Sequence, residues 1–157
     1  MIDLSNQSQL YYGNLAESNK QLITQQVQIG VVDYLLQYIN SPLNQYKIVP
    51  TDLGIQEPTL LPLLSQYNSL QLQRNTLAQT TGPSNTTLLT VDATLSKLRQ
   101  QIQEALNNVK QAYIIAANKM EEQVSRSQTN IKAVPAKAKG LLDIEKKKKI
   151  KQDLYLF

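Results

Sequence analysis

The stretch from Ser84 to Val134 contains neither proline nor glycine, and apolar residues recur along it in steps of three and four. The stripe reads Leu88, Val91, Leu95, Leu98, Ile102, Ala105 or Leu106, Val109, Tyr113, Ala116, Met120, Val124 and Ile131, the spacing that keeps side chains on one face of an α-helix. One very long helix is predicted over 87–133. At about 1.5 Å rise per residue, roughly 45 residues make a rod on the order of 65 to 70 Å long. A chain of 157 residues built around such a rod is expected to be elongated. Near Leu106 the stripe slips by one position, the mark of a stutter that locally unwinds a supercoil.

A second heptad pattern opens the chain. Leu15, Leu22, Ile29 and Leu36 stand seven apart, with Tyr11, Ser18, Gln25, Val32 and Ile39 in the other seam positions, which predicts a helix over 3–40. Ser18 and Gln25 are poor core residues, so their polar groups are expected to be satisfied by a partner helix or by water. Gly30 is expected to let a neighbouring helix approach closely. Pro42 ends this helix, because the residue before a proline is pushed out of the α region. Residues 41–57, broken by Pro50 and Gly54, read as an extended connection with at most a short edge strand. A shorter helix over 58–79 follows, with Pro58 at its first position, lined by Leu60, Leu61, Leu64, Tyr67, Asn68, Leu70 and Leu72. Residues 80–86 form a turn by composition, and Thr86 or Thr87 is the expected cap of the long helix. Val134-Pro135 is expected to end it, and a last helix over 136–157 is flagged by Leu141, Ile144, Ile150 and Leu154. The fold class is therefore all-α: one elongated domain over 1–157, an antiparallel coiled-coil helical hairpin or three-helix stalk with an irregular connection.

Composition narrows the chemistry. Histidine and cysteine are both absent, which removes imidazole or thiolate metal sites, cysteine nucleophiles, His-based triads and disulfides. The net charge of +4 is local. Eight lysines (132, 137, 139, 146, 147, 148, 149 and 151) face Asp143, Glu145 and Asp153 near the C-terminus, and the rest of the chain carries eight basic and nine acidic residues. A nucleic-acid-reading face is not visible along the long helix. The run Lys146 to Lys149 spreads around all sides of a helix and reads first as a solvated turn, with an acidic glycan or phospholipid head group as the other reading. Acidic residues are scattered singly, and adjacent Glu121 and Glu122 point to different faces. No Gly-rich phosphate loop occurs. No catalytic, cofactor-binding or metal-binding residues are therefore nominated, and no cofactor is expected. Tyr11, Tyr34, Tyr38, Tyr67, Tyr113 and Tyr155 fall on or beside the apolar stripes, where packing is favoured over exposed stacking platforms for sugar rings. No run approaches the roughly 18 to 20 apolar residues of a membrane span, and the N-terminus lacks a signal-peptide layout. The abrupt start within a polar helical pattern and the uncapped Leu154-Tyr155-Leu156-Phe157 read as the edges of a piece cut from a longer protein.

The string Ile48-Val49-Pro50-Thr51-Asp52-Leu53-Gly54-Ile55-Gln56-Glu57-Pro58-Thr59-Leu60, followed by Tyr67-Asn68-Ser69-Leu70-Gln71-Leu72-Gln73-Arg74-Asn75, resembles the extracytoplasmic region of Bacteroidetes-type polysaccharide co-polymerases, chain-length determinants fused to a tyrosine autokinase. Leu98-Arg99-Gln100-Gln101-Ile102, Ile131-Lys132-Ala133-Val134-Pro135 and Lys149-Ile150-Lys151-Gln152-Asp153-Leu154-Tyr155-Leu156-Phe157 are similar to further elements of that family, in order and with compatible spacing. Ser84-Asn85-Thr86, Gln152-Asp153 and Gly140 depart from its pattern, at turn and surface positions. The resemblance implies a non-catalytic stalk on the periplasmic side of a bacterial inner membrane, between two membrane helices. It further implies homo-oligomers and a role in the length and export of capsular or exopolysaccharide. The polymerisation and export machinery, and the polysaccharide itself, would be its partners, and the kinase domain would lie outside this sequence. The alternatives are a generic coiled-coil scaffold and the helical hairpin of a periplasmic efflux or secretion adaptor. Flanking sequence separates them: lipoyl-like β half-motifs mark an adaptor, two membrane spans and a phosphate-loop kinase mark a co-polymerase.

Overall fold

The computed structural model describes residues 4–138, with side chains over 6–130. The chain is all-α: α1 (Leu4–Asn40), a single 3-10 turn (Pro42–Asn44), α2 (Leu60–Thr80) and α3 (Thr86–Ala138), with no strand among the described residues. The 53 residues of α3 span about 80 Å at 1.5 Å each. Among the described residues no helix is long and apolar enough to cross a membrane. The contacts divide the chain into two compact units. One is Gln26–Ile114; the other joins the segment up to Gln25 with the segment from Ile115 on. The division falls where the seam residues change character, from aliphatic to small and polar.

Within Gln26–Ile114 three helices share an apolar core of Val32, Leu35 and Ile39 from α1, Leu60, Leu64 and Tyr67 from α2, and Leu95, Ile102, Leu106, Val109 and Tyr113 from α3. Two sets of ties give the directions. Asp33 pairs with Lys110 at 2.7 Å, and Gln103 donates a hydrogen bond to Asn40, so a step of seven up α1 is a step of seven down α3. Arg74 pairs with Asp92 at 2.9 Å, and Arg99 reaches Tyr67, so α2 is also antiparallel to α3. Helices α1 and α2 therefore run the same way, and the connection between them must travel back alongside them. That return tucks Val49 and Ile55 into the core. Gly54, at φ 87°, makes a bend that only glycine adopts without strain.

Several boundaries differ from expectation. The amides of Leu60 and Leu61 both donate to the Glu57 carbonyl, so the first hydrogen-bonded turn of α2 encloses Pro58 even though the regular helix begins at Leu60. Asn85, rather than Thr86 or Thr87, caps α3: its Oδ1 accepts from the Leu88 amide at 3.1 Å, the third helical position that a cap reaches. α3 does not stop at Val134 but continues through Pro135 to Ala138. Proline forfeits its own amide bond, yet its fixed φ is a helical one, so the chain can continue past it. The predicted 136–157 helix thus begins as the end of α3. Its remainder, with the Lys146–Lys149 run, lies outside the described residues. Leu61 and Leu72, predicted to line α2, are exposed, because the buried stripe is Leu60, Leu64, Tyr67 and Gln71. In α3 it is Ala117, not Ala116, that is buried.

In the other unit α1 presents Ser8, Leu15 and Ser18 as buried residues and α3 presents Ala117. Leu22, Gln25, Met120 and Val124 are only partly covered. The Gln25 Oε1 is buried and has no protein hydrogen-bond partner among the described residues. Gly13, in this unit, and Gly30, in the three-helix unit, are both exposed, and a Cβ at either would meet nothing within 4 Å. The close helix approach expected at Gly30 is not made by this chain.

Candidate functional site

The densest polar constellation among the described residues is the place where the returning connection meets the helices. Residues 45–49 leave α1 with no sheet partner, and main-chain groups in that position must find partners elsewhere. Side chains supply them. The Gln45 carbonyl accepts from Gln71 Nε2 and from Arg99 Nη2, both at 2.8 Å, and from the Tyr67 hydroxyl at a long 3.5 Å. The Tyr46 carbonyl accepts from Asn75 Nδ2 at 3.2 Å, and the Ile48 carbonyl from the Tyr38 hydroxyl at 2.7 Å. Asn68 holds both groups of Val49, its Oδ1 accepting from the amide at 2.7 Å and its Nδ2 donating to the carbonyl at 2.8 Å. An asparagine in that pose does for one residue what a neighbouring strand would do.

Aromatic and cationic groups close around this anchor. The Arg74 guanidinium carbon lies 3.5 Å from the centre of the Tyr46 ring while its Nε pairs with Asp92, and Arg99 Nη2 donates to the Tyr67 hydroxyl at 3.2 Å. Tyr67 and Gln71 are almost wholly buried, and Gln71 Oε1 has no hydrogen-bond partner among the described residues. Burial lifts the Tyr38 phenol above its ordinary 10.0, helped by the neighbouring Tyr34 and Tyr67. Farther along the connection, the Tyr113 hydroxyl donates to Glu57 Oε1 at 3.2 Å. Its pKa is likewise raised, first by burial, then by the Glu57 charge and by that hydrogen bond. The hydrogen-bonding capacity of the anchor is directed at main chain, so what it accomplishes is positioning.

Sequence reasoning nominated no site residues, and it missed these anchors. A signal for them exists: Asn68, Gln71 and Asn75 recur three and four apart, an amide stripe on one face of α2 beside a connection rich in unpaired main-chain groups. Tyr67 and Tyr113 pack as expected, whereas Tyr34 is half exposed, its ring centre 6.2 Å from that of Tyr38. Tyr155 lies outside the described residues. Among the described residues there is no cluster of three or more acidic side chains that could hold a metal ion. Open grooves accompany the helices. One of about 500 Å³ between α2 and α3 is lined by Ser65, Gln66, Ser69, Leu70, Gln73, Thr94 and Leu98. Another, of about 330 Å³ in the two-helix unit, is lined by Asn14, Glu17, Ser18, Gln21, Gln123, Arg126 and Ser127.

No known protein family, curated protein or solved structure matches the chain. What the fold and the anchor define is a class: an all-α protein with a three-helix unit whose inter-helix connection is held by side chains.

Proposed function

We propose that this chain is the non-catalytic periplasmic stalk of a bacterial inner-membrane polysaccharide co-polymerase and tyrosine autokinase. In that role it acts in assembly of identical subunits and in control of capsular or exopolysaccharide chain length and export. One observation carries the reading. Three segments on which the family resemblance rests, distant in sequence, touch in the fold: Asn68 grips Val49, and Arg99 binds both Tyr67 and the connection. A likeness spread over three separate strings is what a shared fold leaves behind when those strings hold each other in place. The returning connection and α2 also distinguish the chain from a bare two-helix hairpin, as in a pump adaptor.

The reading is tested in cells by deleting residues 4–138 from the membrane protein while keeping its flanking membrane helices. Altered polymer length and reduced tyrosine phosphorylation are expected. Normal polymer length together with normal phosphorylation overturns the assignment.

A further inference from the structure

We propose that residues 45–50 form a latched strap that opens as a unit while α1, α2 and α3 stay folded. The inference does not depend on the functional reading above. Among the described residues, the hydrogen bonds from the strap's backbone to α1, α2 and α3 all pass through side chains, those of Tyr38, Tyr67, Asn68, Gln71, Asn75 and Arg99, while the Gln45 and Lys47 amides bond locally to the Pro42 and Asn44 carbonyls of the 3-10 turn. Releasing them breaks no rung of a helical ladder, since each helix bonds its own amides to its own carbonyls. Water replaces most of what such bonds contribute. Of residues 45–50, Val49 alone is fully buried; Tyr46 and Ile48 are exposed.

The closed position also carries a penalty. Gln71 is entirely buried, its Nε2 is committed to the Gln45 carbonyl, and its Oε1 has no hydrogen-bond partner among the described residues. An unsatisfied acceptor in the interior is costly, and opening admits water to it, which offsets part of the loss of the latch. Bends flank the strap on both sides: the 3-10 turn at Pro42–Asn44 before it and Gly54, with its positive φ, after it. Arg99 is the crossing point of the latch, tying α3 at once to the strap and to Tyr67 of α2.

The test is native-state hydrogen exchange on the whole chain across a low denaturant series. The Val49 amide is expected to be protected, but less than the amides of Ile102 and Leu106, and to exchange with a small denaturant dependence, as sub-global openings do. Protection and slope equal to those of α3 would show that the strap opens only on unfolding, and absent protection would show that it is never latched; either result overturns the proposal. Asn68→Ala is expected to speed Val49 exchange about 10- to 100-fold, the effect of leaving two main-chain groups unsatisfied, with Ile102 and Leu106 unchanged. Equal acceleration at all three sites overturns it. If that variant does not fold, the wild-type comparison of slopes decides.

Discussion

The two units of this protein use the same long helices to different effect. In Gln26–Ile114, α1 and α3 are covered by a third helix and by the returning connection, and the enclosed positions are leucine, isoleucine, valine and tyrosine. Among the described residues of the other unit, two helices meet along a seam that buries Ser8, Leu15, Ser18 and Ala117. A pair of helices can hide only a narrow stripe, whereas a third element encloses a core from a further side. Buried apolar area scales with that enclosure, at about 25 cal/mol per Å². Among the described residues, the three-helix unit therefore encloses the larger apolar core and the two-helix unit the smaller one.

The strongest way to break this comparison is Leu106→Ala. Leu106 is completely buried among its neighbours, and its truncation is expected to cost about 2 to 5 kcal/mol, read as a drop in the urea midpoint of the helical circular dichroism signal. A loss below about 1 kcal/mol would mean that the three-helix core is not the main source of stability.

The next effect is alkaline. Tyr113 has a folded-state pKa above the ordinary 10.0, so the native state holds the phenolic proton more tightly than the unfolded chain. That stability is fully present below the unfolded pKa and is lost as pH rises through 10 and beyond. Stability is expected to fall above pH 10, and Tyr113→Phe should flatten that decline; an unchanged profile would remove the Glu57 contact from the account.

The smallest effects sharpen the comparison from the other side. Ser18→Ala and Gly13→Ala in the two-helix unit should each stabilise by about 0.5 to 1 kcal/mol through better helix propensity. Slower hydrogen exchange in residues 15–25, with α3 amides near Leu106 unaffected, is the expected result. Destabilisation by Ser18→Ala would show that its hydroxyl is satisfied and that the polar seam is not a weakness.

The helical framework was legible in the sequence because heptad spacing reports burial directly. Leu15, Val32, Ile39, Leu95, Ile102 and Val109 are all buried as their spacing requires. Periodicity alone did not separate Leu35, which is fully buried, from Leu36, which is only partly covered. Leu72 was misread because it is apolar and sits next to the stripe, while the stripe itself continues through a glutamine, Gln71. The anchor was legible only as the amide stripe Asn68, Gln71 and Asn75 on α2. Its contacts depend on the path of the connection, and amide side chains at Asn68 and Asn75 look like ordinary helix surface until that path brings a main chain to them. Pro135 misled for a different reason: proline marks a possible end, and tertiary context decides whether the helix stops.

Because the latch grips peptide groups, which every residue type except proline supplies in full, these bonds place few demands on the identities of positions 45, 46 and 48. The gripping residues have no such freedom, since Asn68 must offer a donor and an acceptor at once to Val49. Mutational tolerance should therefore be lopsided across this contact, broad on the side that is held and narrow on the side that holds.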